Sequence, residues 1–321
     1  MKSKAVVFSG PGKIELREVS LRPMNPDDVI LETYWSSISA GTEKMLLDGR
    51  LPSMQMTRYP VIPGYETVGK IIKRGANVPE DLEGKFVYVS GSLGYTDVNA
   101  AFGGASRYIV SPSHKITVLE SISDPSVGIA LPLGATALHA VDLANVRGKK
   151  VLSVGQGAVG LLVSEFARVF GAEQIVATDL HSSRLAKSCA DIKINISETP
   201  AEEVLGNMEF DVLIDSSGSM KAVEENLRYL KMHGSVVFAG FYERIDLAYE
   251  QIFMKELSLI CAKQWALGDL DRVRDMMQDS LIDFKKIFTH FDSAFGNIAE
   301  AYHTAFTNPD CLKMILSWQE D

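Results

Sequence analysis

The chain has 321 residues, 46% hydrophobic and 23% charged, ordinary for a globular protein and long enough for two domains. A formal charge of −9 without a basic cluster excludes a nucleic-acid partner. Three scattered cysteines (Cys189, Cys261, Cys311), no signal-peptide core at Met1–Phe8 and no run near the roughly 18 apolar residues of a membrane span point to the cytoplasm, with transient membrane contact at most.

Residues 1–120 are rich in Pro and Gly and carry short alternating apolar runs: Lys4–Phe8, Val29–Tyr34, Thr67–Ile72, Phe86–Val89 and Ser106–Val110. Such runs, punctuated by turns, predict a β-rich, barrel-like domain. A helix over Ser126–Ala144, interrupted at Pro132, is expected to bridge to the next domain. From Gly148 the period becomes strand, helix, strand. Strands are expected at Val151–Val154, Ile175–Thr178, Phe210–Asp215, Ser235–Ala239 and Leu257–Cys261. Helices are expected at Ala158–Phe170, Ser182–Ala190 and Met220–Lys231. This alternation predicts an α/β fold with a doubly wound parallel sheet and right-handed crossovers. Asp269–Ser280 and Asn297–Phe306 read as helices, and Leu312–Leu316 as a strand returning to the N-terminal domain. The expected division is 1–120 with 266–321, and 121–265.

Within the second domain, Gly155, Gly157 and Gly160 stand between a strand and a helix, and Asp179 closes the next strand. Gly155 permits a tight turn, Gly157 a close backbone approach to a pyrophosphate, and Gly160 helix–strand packing. The phosphates would meet the free N–H groups of the first turn, with Ala158 and Val159 flanking them. Asp179 suits the hydroxyls of an adenosine ribose and repels a 2′-phosphate, which favours NAD over NADP. Arg184 is the nearby cation that could greet such a phosphate; beside Asp179 it reads as a helix-surface residue. Ser216, Ser217 and Gly218 end one strand, while Gly240, Phe241 and Tyr242 end the next, where nicotinamide contacts belong.

Gly41-Thr42-Glu43, Pro63-Gly64-Tyr65-Glu66-Thr67-Val68-Gly69, Gly103-Gly104-Ala105, Leu131-Pro132-Leu133, the glycine loop and Asp215-Ser216-Ser217-Gly218 together resemble the medium-chain dehydrogenase/reductase superfamily over nearly the whole chain. The resemblance implies a Rossmann domain beside a GroES-like barrel, with Thr136 near the carboxamide of the cofactor. In zinc-dependent members three ligand places correspond to Ala40, Tyr65 and Leu131. A methyl, a phenol and an isobutyl group do not make a tetrahedral zinc site, so no metal is expected. A side chain must then take the proton of the reacting hydroxyl. The candidates are Thr42, Tyr65 and Glu66. Each has a plain alternative: a helix cap, a filler of the space left by the metal, and a buried ion-pair partner.

Trp35–Glu43, Gly49–Pro52 and Tyr59–Glu66 resemble more narrowly the zinc-lacking branch that oxidises the 3-(1-hydroxyethyl) group of a bacteriochlorophyllide with NAD. A flat, greasy tetrapyrrole needs a wide apolar pocket. Leu51, Met54, Met56, Trp35, Phe102 and Trp265 are candidate walls for it. The family also suggests a homodimer through the sheet edge at Leu257–Cys261. Rival readings are an NADPH-dependent quinone or enone reductase of the same superfamily and a non-catalytic NAD-binding protein.

Overall fold

The computed structural model describes residues 1–51, 58–120 and 122–319. The chain divides into two units, Met1–Pro132 with Phe288–Asp321, and Leu133–Ile287.

The first unit is built on two sheets. Lys2–Gly10 and Lys13–Ser20 form an antiparallel hairpin with Val6 opposite Leu16. Asp28–Ile38, eleven residues long, pairs antiparallel with Thr67–Arg74, Tyr108–Pro112 and Met314–Ser317. The pairing of Ile315 with Ser37 returns the C-terminal strand to this unit, as its sequence position predicts. Along Lys2–Gly10 the four consecutive residues Ala5, Val6, Val7 and Phe8 are all solvent-free and share one core with Ile62, Tyr302 and Trp318. Every fully buried side chain of Val, Leu or Ile size there contributes about 1.5–3 kcal/mol.

The second unit holds a six-stranded, all-parallel sheet. Its spatial order is Ile192–Asn195, Gln174–Asp179, Lys150–Val154, Phe210–Asp215, Leu230–Phe238 and Ser258–Cys261. Val151, Leu152, Ile175, Val176, Val212 and Leu213 are solvent-free on both faces, which is why these strands read as continuous apolar runs. The strand order reverses direction between Lys150–Val154 and Phe210–Asp215, and a crevice for ligands opens beyond the carboxyl ends at such a point.

Several boundaries differ from the sequence expectation: the first segment runs to Pro132 and not to 120, and the helix from Ser182 ends at Lys187 and not at Ala190. The helix Asp269–Gln278 and the turn Phe284–Ile287 belong to the nucleotide unit, not to the barrel. Gly134 is the reason: a methyl group there would lie 2.7 Å from Val273 and 3.1 Å from the Phe284 ring, so these surfaces are in tight contact. Phe284 also meets Phe166 edge-on at 6.2 Å, and Lys286 pairs with Glu165. The predicted helix Met220–Lys231 ends at Asn226 and passes through the 3₁₀ turn Leu227–Tyr229 into a strand that begins at Leu230. Asn226 turns its amide back to the Ala222 carbonyl, a local bond that competes with helix continuation. Finally, Pro132 does not break a helix: the 3₁₀ segment Pro125–Ala130 gives way to a helix starting at Leu131, and Pro132 stands in its first turn, where no N–H is needed. The run Pro125–Ala144 has the length and mean hydropathy, 1.5, of a membrane span, but 72% of that window is buried in protein, as in a core helix.

Candidate active site

The glycine loop has the geometry a dinucleotide requires. Gly155 has φ +84°, and a Cβ on it would sit 2.8 Å from the Ser217 nitrogen. A Cβ on Gly160 would fall 1.9 Å from the Gly155 carbonyl oxygen, so only glycine lets the helix Ala158–Val169 pack there. Gly157 is different: it caps that helix, and a Cβ on it meets no protein atom within 4 Å. Its outer side is therefore open for a close-fitting ligand, and Ala158 and Val159, both half-buried, present the free N–H groups of the first turn.

Asp179 is 7% exposed at the end of its strand. Its Oδ2 accepts from the Gln156 N–H at 2.6 Å and its Oδ1 from the His181 N–H at 2.9 Å. The carboxylate is thus fixed against the glycine loop, and each oxygen keeps a lone pair for a ribose hydroxyl. Gln156 turns inward, donating to Ser153 Oγ at 2.9 Å and accepting from Ser164 at 3.2 Å. Arg184 is half-buried in the short helix Ser182–Lys187, and Thr136 is half-buried on Leu131–Ala144.

On the neighbouring strand ends, Ser216 Oγ donates to the Gly155 carbonyl at 2.9 Å, and Ser217 Oγ to Asp215 Oδ1 at 2.7 Å. Gly218, at φ +72°, donates its N–H to Asp215 Oδ2 at 3.2 Å, and Gly240 lies close enough that a Cβ would reach Gly218 N at 3.0 Å. Phe241 is 50% exposed. Tyr242, expected with Gly240 and Phe241 among the nicotinamide contacts, is engaged by the protein: its phenol bonds Asp215 and its ring meets Phe238 edge-on at 5.4 Å. Burial pushes the Asp215 carboxyl up to about 6, against the pull of Ser217 and the Gly218 N–H. Residues that the sequence singles out one by one are here a single bonded turn packed on the glycine loop.

The first unit carries the proton-handling candidates. Tyr65 is half-buried in the loop before Thr67–Arg74. Its hydroxyl lies 2.7 Å from Ser39 Oγ, and the Thr42 side chain is near enough to favour the ionised phenol. Thr42 is the first residue of the helix Thr42–Leu47, whose cap is Gly41 without a side-chain bond, so Thr42 is not its cap. Burial, with Glu66 nearby, pushes the Tyr65 phenol above its ordinary range, and Ser39 and Thr42 pull it back. Tyr65 is a neutral phenol at physiological pH.

Glu66 is placed differently from a free base. It is solvent-free, and Lys313 Nζ reaches its two oxygens at 2.8 and 2.6 Å, with Ser37 Oγ as a further donor. Lys313, itself 4% exposed, also bonds the Ile38 carbonyl at 3.3 Å. Both oxygens are engaged by a buried cation, so Glu66 is the ion-pair partner of the alternative reading and not the proton acceptor. Glu43 is the carboxylate without such a cation. It is solvent-free, accepts from the Ser39 N–H at 3.1 Å and from the Tyr302 hydroxyl at 2.7 Å, and burial raises it to about 7. Ser39, Tyr302 and Lys313 escape sequence reading, because their partners are remote in the chain or carry no motif.

The places that correspond to metal ligands hold exposed Ala40, the Tyr65 phenol and fully buried Leu131. Among the described residues, no group of three or more His, Cys, Asp or Glu is arranged to hold a metal ion. Of the expected pocket walls, Phe102 lies beside the site, its ring 5.1 Å from that of Tyr65. Leu51 is a core residue, and Trp35 stacks at 5.9 Å on Phe86 with Tyr34 beside it. Trp265 is half-buried in the second unit, and Met54 and Met56 lie outside the described residues. Ser258–Cys261 is the sheet edge, as expected, and Leu259 in it is 39% exposed.

Comparison with known proteins adds the following. Residues 25–121 match the alcohol dehydrogenase GroES-like domain, and 158–279 match the zinc-binding dehydrogenase domain. The chain is 31% identical to 2-desacetyl-2-hydroxyethyl bacteriochlorophyllide A dehydrogenase of Cereibacter sphaeroides, with 99% of both chains covered. It is 29% identical to the protein of the same name from Rhodobacter capsulatus, covering 100% of this chain and 99% of that one. Among solved structures, an alcohol dehydrogenase of Escherichia coli CFT073 complexed with NADH has TM-score 0.86 at 21% identity. A dehydrogenase of Sinorhizobium meliloti bound to NADP has TM-score 0.84 at 21% identity. Both cover 99% of each chain, and at this identity they establish the fold.

Proposed function

The chain belongs to the medium-chain dehydrogenase/reductase superfamily, and from that premise we propose that it is an NAD-dependent alcohol dehydrogenase that oxidises the 3-(1-hydroxyethyl) group of a bacteriochlorophyllide to 3-acetyl without zinc. The observation that carries the proposal is the Tyr65 phenol, hydrogen-bonded to Ser39 with Thr42 beside it, at the place where the family resemblance implies a metal ligand in zinc-dependent members. The full-length similarity to two proteins named for this substrate supports the choice of pigment.

In the reaction the carbinol carbon loses a hydride and its hydroxyl loses a proton. Bound NAD supplies the hydride acceptor. Gly155, Gly157 and Gly160 with the N-terminus of Ala158–Val169 would hold its pyrophosphate, and Asp179 would take the ribose and disfavour a 2′-phosphate. Tyr65 takes the hydroxyl proton on its oxygen as it passes its own phenolic proton to the half-buried Thr42 hydroxyl beside it and thence to solvent, with Ser39 holding the phenol oxygen, so the phenol is neutral before and after the step. The Glu66–Lys313 pair supports the loop beneath. We assign the edge at Ser258–Cys261 to a twofold homodimer, to be checked by sedimentation, and the protein to the cytoplasm.

The test is incubation with the hydroxyethyl pigment and NAD or NADP, following the red shift as a carbonyl joins the conjugated ring. Deuterium at the carbinol carbon should appear in NADH. Tyr65→Phe and Thr42→Val should each slow turnover roughly 10²–10⁴-fold while NAD binding persists. Preference for NADP, or NAD binding without turnover, refutes the proposal.

A further inference from the structure

We infer that Ser39 is a positioning residue for the reaction: its hydroxyl fixes the O–H direction of Tyr65, and Glu43 fixes Ser39. The inference rests on the reading that Tyr65 handles the substrate's hydroxyl proton.

A phenol ring held in place still leaves its O–H free to rotate, and a proton relay needs that bond aimed. Everything around Tyr65 other than the O–H is already set. Its carbonyl accepts from the Tyr88 hydroxyl at 3.0 Å. Gly64, at φ +95°, bears on Ala105 so closely that a Cβ would come within 2.7 Å of the Ala105 nitrogen. The ring meets Phe102 edge-on at 5.1 Å. Phe102 itself holds φ +77°, a left-handed conformation costly for a bulky residue, and its carbonyl accepts from Ser92 N–H at 2.6 Å. The remaining degree of freedom is closed by Ser39 Oγ at 2.7 Å, from a side chain 6% exposed.

Ser39 is in turn locked by Glu43. The Ser39 N–H donates to Glu43 Oε1 at 3.1 Å and the Ser39 carbonyl accepts from the Glu43 N–H at 2.9 Å, a reciprocal pair across the turn. Tyr302 holds the other carboxylate oxygen at 2.7 Å, and its own ring is wedged edge-on against Phe8 and Phe306 at 5.4 and 5.6 Å. A buried carboxylate without a cation is a costly way to brace a turn unless the turn's geometry matters.

The test uses the full-length enzyme with NAD and the hydroxyethyl pigment. Ser39→Ala should lower kcat roughly tenfold, the loss expected of one hydrogen bond that matters in the transition state, with KM for NAD unchanged. Ser39→Thr, which keeps the hydroxyl, should restore most of it. In the Tyr65→Phe background, Ser39→Ala should have no further effect, because it acts through the phenol. A second readout does not need turnover: with tyrosines labelled at the ring Cζ, the resonance lost in Tyr65→Phe should shift in Ser39→Ala and return in Ser39→Thr. An unshifted resonance, equal losses in the alanine and threonine variants, or a further loss in the double variant overturns the inference. If the wild-type enzyme leaves the pigment untouched, the substrate reading fails, and the resonance still decides whether Ser39 sets the phenol.

Discussion

At the scale of single residues, the site rests on two buried carboxylates a few residues from each other's partners but in opposite electrostatic conditions. Glu66 has Lys313 at 2.6 Å; Glu43 has only neutral donors. Removing a cation from a buried pair leaves a charge that nothing compensates, so Lys313→Met should destabilise the protein by about 3–5 kcal/mol in urea unfolding. Adding Glu66→Gln to that variant should recover a large part of the loss, since both charges are then gone. A double variant no more stable than Lys313→Met would mean that the lysine acts by packing and not by charge. These pairings also mark what was illegible in the sequence. Tyr65 and Thr42 stand out because they sit inside family patterns, and Glu66 was visible but its role was not. Its partner lies just before the last strand, 247 positions away, and nothing in a linear chain says which lysine will be buried.

At the scale of elements, legibility followed periodicity. The strands around the glycine loop are legible in the sequence to within a residue or two because their flanking glycines and apolar runs agree with the tertiary structure. The short strands Ile192–Asn195 and His290–Ser293 are not legible in the sequence, as four residues with exposed positions carry too little pattern. The glycines make a sharper claim than the pattern does, because their reasons differ. Gly160→Ala places a methyl 1.9 Å from a backbone oxygen, so it should cost about 1–3 kcal/mol of stability and NAD binding together. Gly157→Ala meets no protein atom, so unfolding should move by no more than about 0.5 kcal/mol. Its NAD affinity should nevertheless fall roughly tenfold or more, read by fluorescence titration of NADH. Unchanged affinity in Gly157→Ala would take the pyrophosphate away from this loop.

At the scale of the whole molecule, each unit buries one carboxyl whose pKa is raised: Glu43, to about 7, in the first, and Asp215, to about 6, in the second. In both, burial is the dominant cause. Their unfolded-state values are about 4.5 and 3.8, so above roughly pH 4 the folded chain binds more protons than the unfolded one. Stability must then fall as pH rises through these windows, by about 3 kcal/mol for each group once ionised. In acid the opposite holds. Asp28, bonded by Arg22, and Asp48, bonded by Arg50 and Lys44, are held below the usual carboxylate range, so the stability they contribute is lost as pH drops through their folded values. The two slopes place the maximum of stability at about pH 4–5, on the acid side of neutrality. Glu43→Gln, which keeps an acceptor for the Ser39 N–H, should remove about two-thirds of the fall between pH 5 and 8, and Asp215→Asn about the remaining third, which lies below about pH 6. Urea midpoints measured across that range decide it: a wild-type maximum near pH 8, or a slope unchanged in Glu43→Gln, would mean that these carboxyls reach water in the folded protein and that the bracing of Ser39 by a desolvated group is wrong.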